Sequence, residues 1–220
     1  MLQLYDKLIT LPLFIGIGHE ELSQIITHIK IGFHKIEAGK FICTENDKCE
    51  QLLIVINGSF SVTSYSNDHR YSVEEEVHTP LILQPSHFFG LTSYYTKTFK
   101  TITKCNLISL DKKEVLKLLE QSLIFRLNYL NLISIKAQQA SKLPWGRKPE
   151  NIEKAFVQFV RNHCISQSGH KVVRIKMIDL AYEIHESRLN ISKMLNNLET
   201  QGKLSITRGI ITIPSLEKLR

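Results

Sequence analysis

The stretch DLAYEIHESRLNISKMLNNLETQGKL, residues 179–204, predicts two short amphipathic helices joined by about three residues. In the first helix Leu180, Ala181 and Ile184 share one face, and the small side chain of Ala181 allows a second helix to cross closely. The second helix has an apolar stripe made of Ile191, Met194, Leu195 and Leu198. The stretch therefore predicts two packed helices with one face of the second left outside.

The outward face of the second helix is rich in hydrogen-bond donors. It comprises Arg188, Leu189, Ser192, Lys193 and Asn196, at spacings of one, three and four. Ser187 precedes them as a good N-cap. In a helix-turn-helix the N-terminal turns of the second helix enter the major groove, where Arg and Lys pair with guanine and Ser or Asn contact base edges or phosphates. Each residue alone is compatible with a solvated face, but together they indicate DNA binding.

A hairpin is predicted after these helices. The segment KLSITRGIITIP, residues 203–214, reads as strand, turn and strand around Thr207, Arg208 and Gly209. Such a hairpin forms a wing whose tip, Arg208, reaches phosphate or the minor groove. Lys176 flanks the first helix and is likewise expected to contact phosphate.

The charge is distributed unevenly along the chain. The net charge is +7. Residues 1–140 contain 14 Lys+Arg and 14 Asp+Glu, whereas residues 141–220 contain 14 Lys+Arg and 7 Asp+Glu. A basic C-terminal segment beside a neutral one suggests a polyanionic partner, although a solvated basic surface explains charge alone. Charge does not distinguish DNA from RNA or an anionic membrane.

The N-terminal half has the sequence pattern of a β domain. Together with the helices predicted in the rest of the chain, it gives a predicted fold class of α+β. Residues 18–30 favour a helix, and residues 31–110 contain short β-prone runs separated by turn-formers. These runs are FICT, QLLIVI, SFSVTSY, LILQ and KTITKCNLISL. Many short strands at this spacing predict a jelly roll, which we place in a first domain of residues 1–110.

A long helical segment follows at residues 111–142. It lacks Gly and Pro, and a break near 120–123 is expected because Ser122 can cap a new start. Its apolar stripe comprises Leu116, Leu119, Leu123, Leu127, Leu130 and Ile133, widened by Leu132 and Ile135. We interpret it as a dimerisation helix; the alternative is a helix packed on its own chain. LPWGRKPE, residues 143–150, is the predicted hinge, which opens a last domain of residues 143–220.

The sequence resembles the CRP/FNR superfamily of bacterial transcription regulators. The resemblance rests on LPLFIGIGHEEL, on EAGKFICTENDKCEQLLIVINGSFSV with Gly39 and Gly58 at turns, and most specifically on DLAYEIHESRLNISKMLNNLE. It implies an N-terminal cyclic-nucleotide-binding-like double-stranded β-helix, a dimer helix and a C-terminal winged helix-turn-helix. It also implies that Arg188, Leu189 and Lys193 read bases.

Two positions depart from the family pattern. Leu189 stands where the family often has Glu, so it can contact a thymine methyl group but cannot accept a hydrogen bond from cytosine. His185 stands where Gly is usual, so it must adopt any positive φ itself. The partners that the resemblance implies are palindromic double-stranded DNA, a second copy of the chain and RNA polymerase.

The cAMP-binding members resemble one another in a phosphate cassette with Gly, Glu and a later Arg. The matching region here is FFGLTSYYTKTFKTIT, in which Leu91 takes the Glu position and no Arg occurs between Arg70 and Arg126. Lys97 or Lys100 offers only a point charge. The candidate ligand residues are Gly90, Leu91, Thr92, Lys97 and Lys100. We expect no response to cAMP and no cofactor, and the effector, if there is one, is an unidentified small molecule.

Three alternatives remain for the β domain. Haem sensing would use His78, His87 or Cys49, and redox sensing would use the four cysteines, none of which forms a C-x-x-C pair. An iron–sulfur sensor is disfavoured because no cysteine precedes Cys43. A cupin-like metal enzyme would need clustered histidines, and no H-x-H occurs. We expect no enzyme, because no G-x-S-x-G, Walker-type loop or H-E-x-x-H occurs. We expect no membrane association, because the sequence has no run of 18 apolar residues, and a cytoplasmic location, because the N-terminus lacks the pattern of a secretory signal.

Overall fold

The computed structural model describes residues 8–142 and 149–219. The predicted hinge at 143–150 lies almost wholly outside these residues. The chain forms two compact units that do not follow its linear order. The first contains the described residues of Met1–Ser59, His78–Tyr95 and Thr101–Gly146, and the second contains Phe60–Val77, Thr96–Lys100 and the described residues of Arg147–Arg220.

The first unit is an α+β assembly around an antiparallel sheet. Its strands are β1 (Gly32–Ile36), β2 (Phe41–Cys43), β3 (Gln51–Asn57), β6 (Leu81–Ile82) and β8 (Cys105–Asp111), and helix α1 (His19–His28) precedes them. The sheet order is β1, β8, β3, β6. At the turn after β3, Gly58 has φ 105°, and a Cβ there would lie 2.6 Å from the Cys105 Sγ. This turn therefore requires glycine.

Two helices end the first unit. Helix α2 spans Lys112–Gln121 and α3 spans Leu123–Lys142. The predicted break is confirmed, because Ser122 separates them and its Oγ accepts a hydrogen bond from the Phe125 N–H at 3.3 Å. The apolar side chains that these helices bury are Val115, Leu118, Phe125 and Tyr129. The outward side chains are Leu116, Leu123, Leu127, Leu130 and Ile135, each about half exposed.

The second unit combines the C-terminal helices with strands from the middle of the chain. Its strands are β4 (Ser59–Tyr65, from Phe60 onward), β5 (Ser72–His78, up to Val77), β7 (Lys97–Thr101, up to Lys100), β9 (Lys171–Arg174), β10 (Ser205–Thr207) and β11 (Ile210–Ile213). Their hydrogen-bonded order is β10, β11, β9, β5, β4, β7. The helices are α4 (Ile152–Asn162), α5 (Met177–Ile184) and α6 (Arg188–Thr200).

Strand β5 explains why the units differ from the linear division predicted at residues 110 and 143. No strand is predicted at Ser72–His78 from the sequence pattern, yet β5 pairs antiparallel with β9, and Val73 lies in the hydrophobic core formed by α4, α5 and α6. The hairpin that carries β5 thus clusters with the C-terminal segment rather than with residues 1–59. Strand β1 was also not predicted.

Candidate nucleic-acid interface

The turn between α5 and α6 has the predicted backbone conformation. His185 ends α5 with φ 58° and ψ 44°, the left-handed region that costs a non-glycine residue strain. Its N–H donates to the Tyr182 carbonyl at 3.1 Å, and the Glu186 N–H donates to the Ala181 carbonyl at 2.9 Å. These backbone bonds close the helix and offset the strain that a glycine would avoid, and the prediction for His185 is confirmed.

Helix α6 begins with the predicted cap. The Ser187 Oγ accepts a hydrogen bond from the Asn190 N–H at 3.1 Å. The Asn190 side chain in turn donates to the Glu186 carboxylate at 3.1 Å. Because the cap satisfies one of the free N–H groups of the first turn, the start of α6 is fixed at Arg188.

The two faces of α6 agree with the sequence pattern. Its buried side chains are Ile191, Met194, Leu195 and Leu198. Of the predicted outward residues, Arg188, Leu189, Lys193 and Asn196 are exposed, and Ser192 is half-buried. Leu189 is an apolar member of this face and is 64% exposed. Exposed Arg, Lys and Asn side chains are able to pair with base edges, and an exposed leucine is able to contact a thymine methyl group.

The hairpin β10–β11 follows as expected. Thr207 pairs with Ile210, so Arg208 and Gly209 form a two-residue tip, and Arg208 is exposed. The Glu199 carboxylate accepts the Ile206 N–H at 2.7 Å, which ties the end of α6 to this hairpin. The Ile175 N–H donates to the Gly209 carbonyl at 3.0 Å. The hairpin tip is therefore adjacent to the start of α5, where Lys176 is exposed.

The cations of this surface are available to a ligand. Among the described residues, no carboxylate forms an ion pair with Lys176, Arg188, Lys193 or Arg208. Arg174 differs, because its Nη1 lies 2.7 Å from the Glu74 Oε2. A surface with unpaired cations attracts a polyanion by Coulomb forces and counterion release.

Sequence reasoning missed two exposed apolar side chains beside this surface. Ile178 and Tyr182 project from α5 and are 66% and 75% exposed. Their spacing of four places them on one side of the helix, opposite Leu180, so the helical periodicity could have revealed them. It also missed the pairing of Arg174 with Glu74, for which no local pattern exists.

The five candidate ligand residues do not come together in one unit. Gly90, Leu91 and Thr92 belong to the first unit, where Leu91 and Thr92 are exposed. Lys97 and Lys100 belong to the second unit. There the Lys97 ammonium donates to the Ser64 Oγ and, at 3.4 Å, to the His163 carbonyl. These local contacts provide an alternative to a phosphate as the partner of Lys97.

The four cysteines are free thiols in protected surroundings. Burial raises the pKa of Cys43, Cys49 and Cys105. Burial, together with the charge of Glu75, raises the pKa of Cys164 to about 12. A high pKa disfavours the thiolate, which is the reactive species in redox and metal chemistry.

Within residues 8–142 and 149–219, the side chains of His, Cys, Asp and Glu nowhere gather in threes as a metal ion would require. Across the same ranges, the helices lack the combination of length and apolar character needed to cross a bilayer.

Comparisons with known proteins bear on the fold. The family model described as "Cyclic nucleotide-binding domain" matches residues 33–122. No curated protein matches the chain. The sensor domain of the transcriptional regulator DNR from Pseudomonas aeruginosa is 15% identical with a TM-score of 0.52, covering 64% of this chain and 92% of that chain.

Two further solved structures extend over nearly the whole chain. The Thermus thermophilus catabolite activator protein is 16% identical with a TM-score of 0.50, covering 95% of this chain and 96% of that chain. A Eubacterium rectale protein, whose structure is described as that of a candidate transcriptional regulator of the crp/fnr family, is 17% identical with a TM-score of 0.50 and the same coverage. At these identities the likeness concerns the fold: residues 33–122 match a cyclic nucleotide-binding domain, and the whole chain is similar in fold to these two solved structures.

Proposed function

We propose that this protein is a dimeric, sequence-specific DNA-binding transcription regulator of the CRP/FNR type that does not respond to cAMP. The observation that carries the proposal is the outward face of α6, where Arg188 and Lys193 are exposed and unpaired among the described residues, opposite a fully packed inner face. This is the arrangement of a recognition helix.

The surroundings of α6 support a role in DNA binding rather than a general attraction to anions. The strained turn at His185 and the Ser187 cap fix the direction of the helix, and the Glu199 contact fixes the hairpin beside it. Lys176 and Arg208 then lie at one edge, where they would contact phosphates while Arg188 and Lys193 contact bases. Phosphate contacts position the protein and base contacts specify the sequence.

The outward leucines of α3 support dimerisation. Leu123, Leu127 and Leu130 follow one another at steps of four and three and are each about half exposed. This spacing is that of a helix–helix seam. Fully burying a leucine side chain contributes ~1.5–3 kcal/mol, so a second copy would gain free energy by covering the stripe. A two-fold dimer would present two α6 helices to an inverted repeat with half-sites about one helical turn apart.

The sensor region supports a signal other than cAMP. Leu91 is fully exposed at the position where the cAMP-binding relatives carry Glu, and the sequence has no Arg between Arg70 and Arg126. A carboxylate for the ribose and a guanidinium for the cyclic phosphate are therefore both absent from this segment. We leave the effector unassigned.

Selection from a random DNA pool tests the function directly. Wild-type protein, alone and with cell extract as a source of effector, should enrich an inverted repeat. The matched comparison is Arg188→Ala, which alters the reading face without touching the core. If the wild type enriches no palindromic site under either condition, the proposal is wrong.

A further inference from the structure

Strand β5 is an acidic strand inside the sheet of the DNA-binding unit, where it lies between β9 and β4. It pairs with β9 in the register Ser72–Arg174, Val73–Val173, Glu74–Val172 and Glu75–Lys171. The strand carries three consecutive glutamates, Glu74, Glu75 and Glu76. Such a run is unexpected beside a surface that would bind a polyanion, and two of the three carboxylates engage cations of that same unit.

Glu75 holds the strand in place through a buried ion pair. The Lys171 Nζ lies 2.9 Å from the Glu75 Oε2, and the two side chains are 0% and 1% exposed. The carboxylate also accepts the backbone N–H groups of Ile165 and, at 2.9 Å, of Ser166. A buried charge whose partner is removed is strongly destabilising, because it cannot be solvated in place. The ion pair therefore specifies the register of β5 on β9.

Glu74 forms an ion pair with Arg174, a cation close to the residues proposed to contact DNA. Its carboxylate bonds Arg174, and the side chains are 32% and 48% exposed. Arg174 also lies opposite Ile210 in β11, one residue beyond the hairpin tip. Its neighbour Ile175 donates to the Gly209 carbonyl at 3.0 Å. The backbone of Arg174 is therefore close to Lys176 and to the hairpin tip that carries Arg208.

We propose that β5 is an autoinhibitory strand that competes with DNA phosphate for Arg174 and is fastened by the Glu75–Lys171 pair. The inference rests on the proposed DNA-binding function. While β5 is paired, Glu74 neutralises Arg174 and adds negative charge beside the phosphate contacts. When β5 separates from β9, Arg174 becomes free to contact a phosphate and Lys171 reaches solvent. DNA binding and β5 pairing therefore oppose each other.

Glu74→Gln tests the competition in the full-length protein. A partly exposed ion pair is worth ~0.2–1 kcal/mol, so freeing Arg174 should raise the affinity for the selected DNA by a factor of about 1.4 to 5. The slope of log affinity against log salt should steepen by about 0.9, the value for one added phosphate contact. Glu76→Gln is the matched control, because it changes net charge equally at a residue that forms no ion pair among the described residues.

Hydrogen exchange in the absence of DNA tests whether the Glu75–Lys171 pair holds β5 on β9. Glu75→Gln leaves Lys171 buried and uncompensated, so residues 171–174 should lose protection as β5 separates, and affinity for DNA should rise. Adding Lys171→Met to Glu75→Gln removes the buried unpaired charge, and the amide oxygen at position 75 can still accept a hydrogen bond from the Ser166 N–H. The protection of residues 171–174 against exchange should therefore return, and the affinity for DNA should fall to the wild-type value. If Glu75→Gln does not fold, the Glu74 comparison decides the competition alone.

The outcomes separate the two proposals. If wild type, Glu74→Gln and Glu76→Gln bind the selected DNA with equal affinity and slope, autoinhibition by β5 is wrong while the DNA-binding function stands. Unchanged protection of residues 171–174 in a folded Glu75→Gln protein would overturn the role of the ion pair. If no variant binds specific DNA, the proposed function and the inference both fail.

Discussion

Val73 of β5 lies directly opposite Val173 of β9, and both side chains are buried in the core of the second unit. A residue from the middle of the chain therefore completes the packing of helices that begin some 80 positions later. Val73→Ala should lower the free energy of unfolding by about 2 kcal/mol, because buried methyl groups are lost and a cavity remains.

Urea denaturation of Val73→Ala checks this contribution. Ser72→Ala, at the half-buried neighbouring position, is the control and should change the free energy of unfolding by less than about 0.5 kcal/mol. Equal effects of the two substitutions would contradict the place of Val73 in this core.

Substitution of Arg188 should affect DNA binding differently from substitution of Lys176 or Arg208. Arg188 heads α6, so Arg188→Ala should cost about 1–3 kcal/mol at one base position and relax selectivity there. Lys176→Ala or Arg208→Ala should weaken all sequences about equally and reduce the salt slope by about one unit. Titrations of the selected site and its single-base variants at several salt concentrations measure both effects. An Arg188→Ala protein that enriches the wild-type site unchanged would refute only the assignment of the reading residue.

The exposed leucines of α3, Leu123, Leu127 and Leu130, should form the interface of a homodimer. Sedimentation at micromolar concentration should give about twice the 25.4 kDa chain mass. Replacing Leu127 and Leu130 by Glu should produce monomers, since four buried like charges would face one another across the seam. Asn131→Glu, at an exposed polar position of the same helix, is the control and should leave the dimer intact. A wild type that is strictly monomeric over that range excludes the dimer.

Cyclic AMP should neither bind nor stabilise the protein. A specific ligand at a hundred times its dissociation constant adds about 2.7 kcal/mol to the free energy of unfolding, which is readily seen as a higher melting temperature. We expect no such rise with cAMP, with AMP as the control nucleotide. A dose-dependent rise in melting temperature with cAMP but not with AMP would show that the protein binds cAMP with Leu91 in place of Glu and without a nearby Arg, and the prediction would be wrong.

Cys164 should make the protein less stable at alkaline pH. Burial raises its pKa from 9.0 to about 12. Between these values the unfolded chain loses the thiol proton while the folded chain keeps it, so the free energy of unfolding falls as pH rises from about 9 to about 12. Denaturation of wild type and Cys164→Ala at pH ~8 and pH ~10 measures this contribution. The variant should lose less stability over that interval; an identical loss would contradict the raised pKa.

The helices and hairpin of the candidate site could be predicted because their determinants are local. The Ser187 cap, the apolar steps from Ile191 to Leu198 and the turn at Arg208 and Gly209 each act within a few residues. The positive φ of His185 was expected through the family resemblance, because His185 stands where the family usually has glycine. The break at Ser122 was predictable for the same reason.

Strand β5 could not be predicted because its stability is not local. The segment SVEEEVH has the charge of a solvated loop. Its buried face consists of Val73, Glu75 and Val77, so the alternation typical of a strand is visible only if Glu75 is assumed to be buried. What makes that burial tolerable is Lys171, 96 positions away, with two backbone N–H groups at Ile165 and Ser166. A pattern that depends on a distant partner cannot be read from either segment alone.

The membership of β5 in the C-terminal unit constrains how this protein can be dissected or recombined. A fragment cut at the hinge would keep β9 but leave one of its edges without a partner, with Lys171 deprived of its carboxylate and a gap where Val73 packs. Open sheet edges promote intermolecular pairing. Such a fragment would aggregate unless residues 60–77 were supplied with it, and gene fusions that exchange the last domain alone would inherit the same defect.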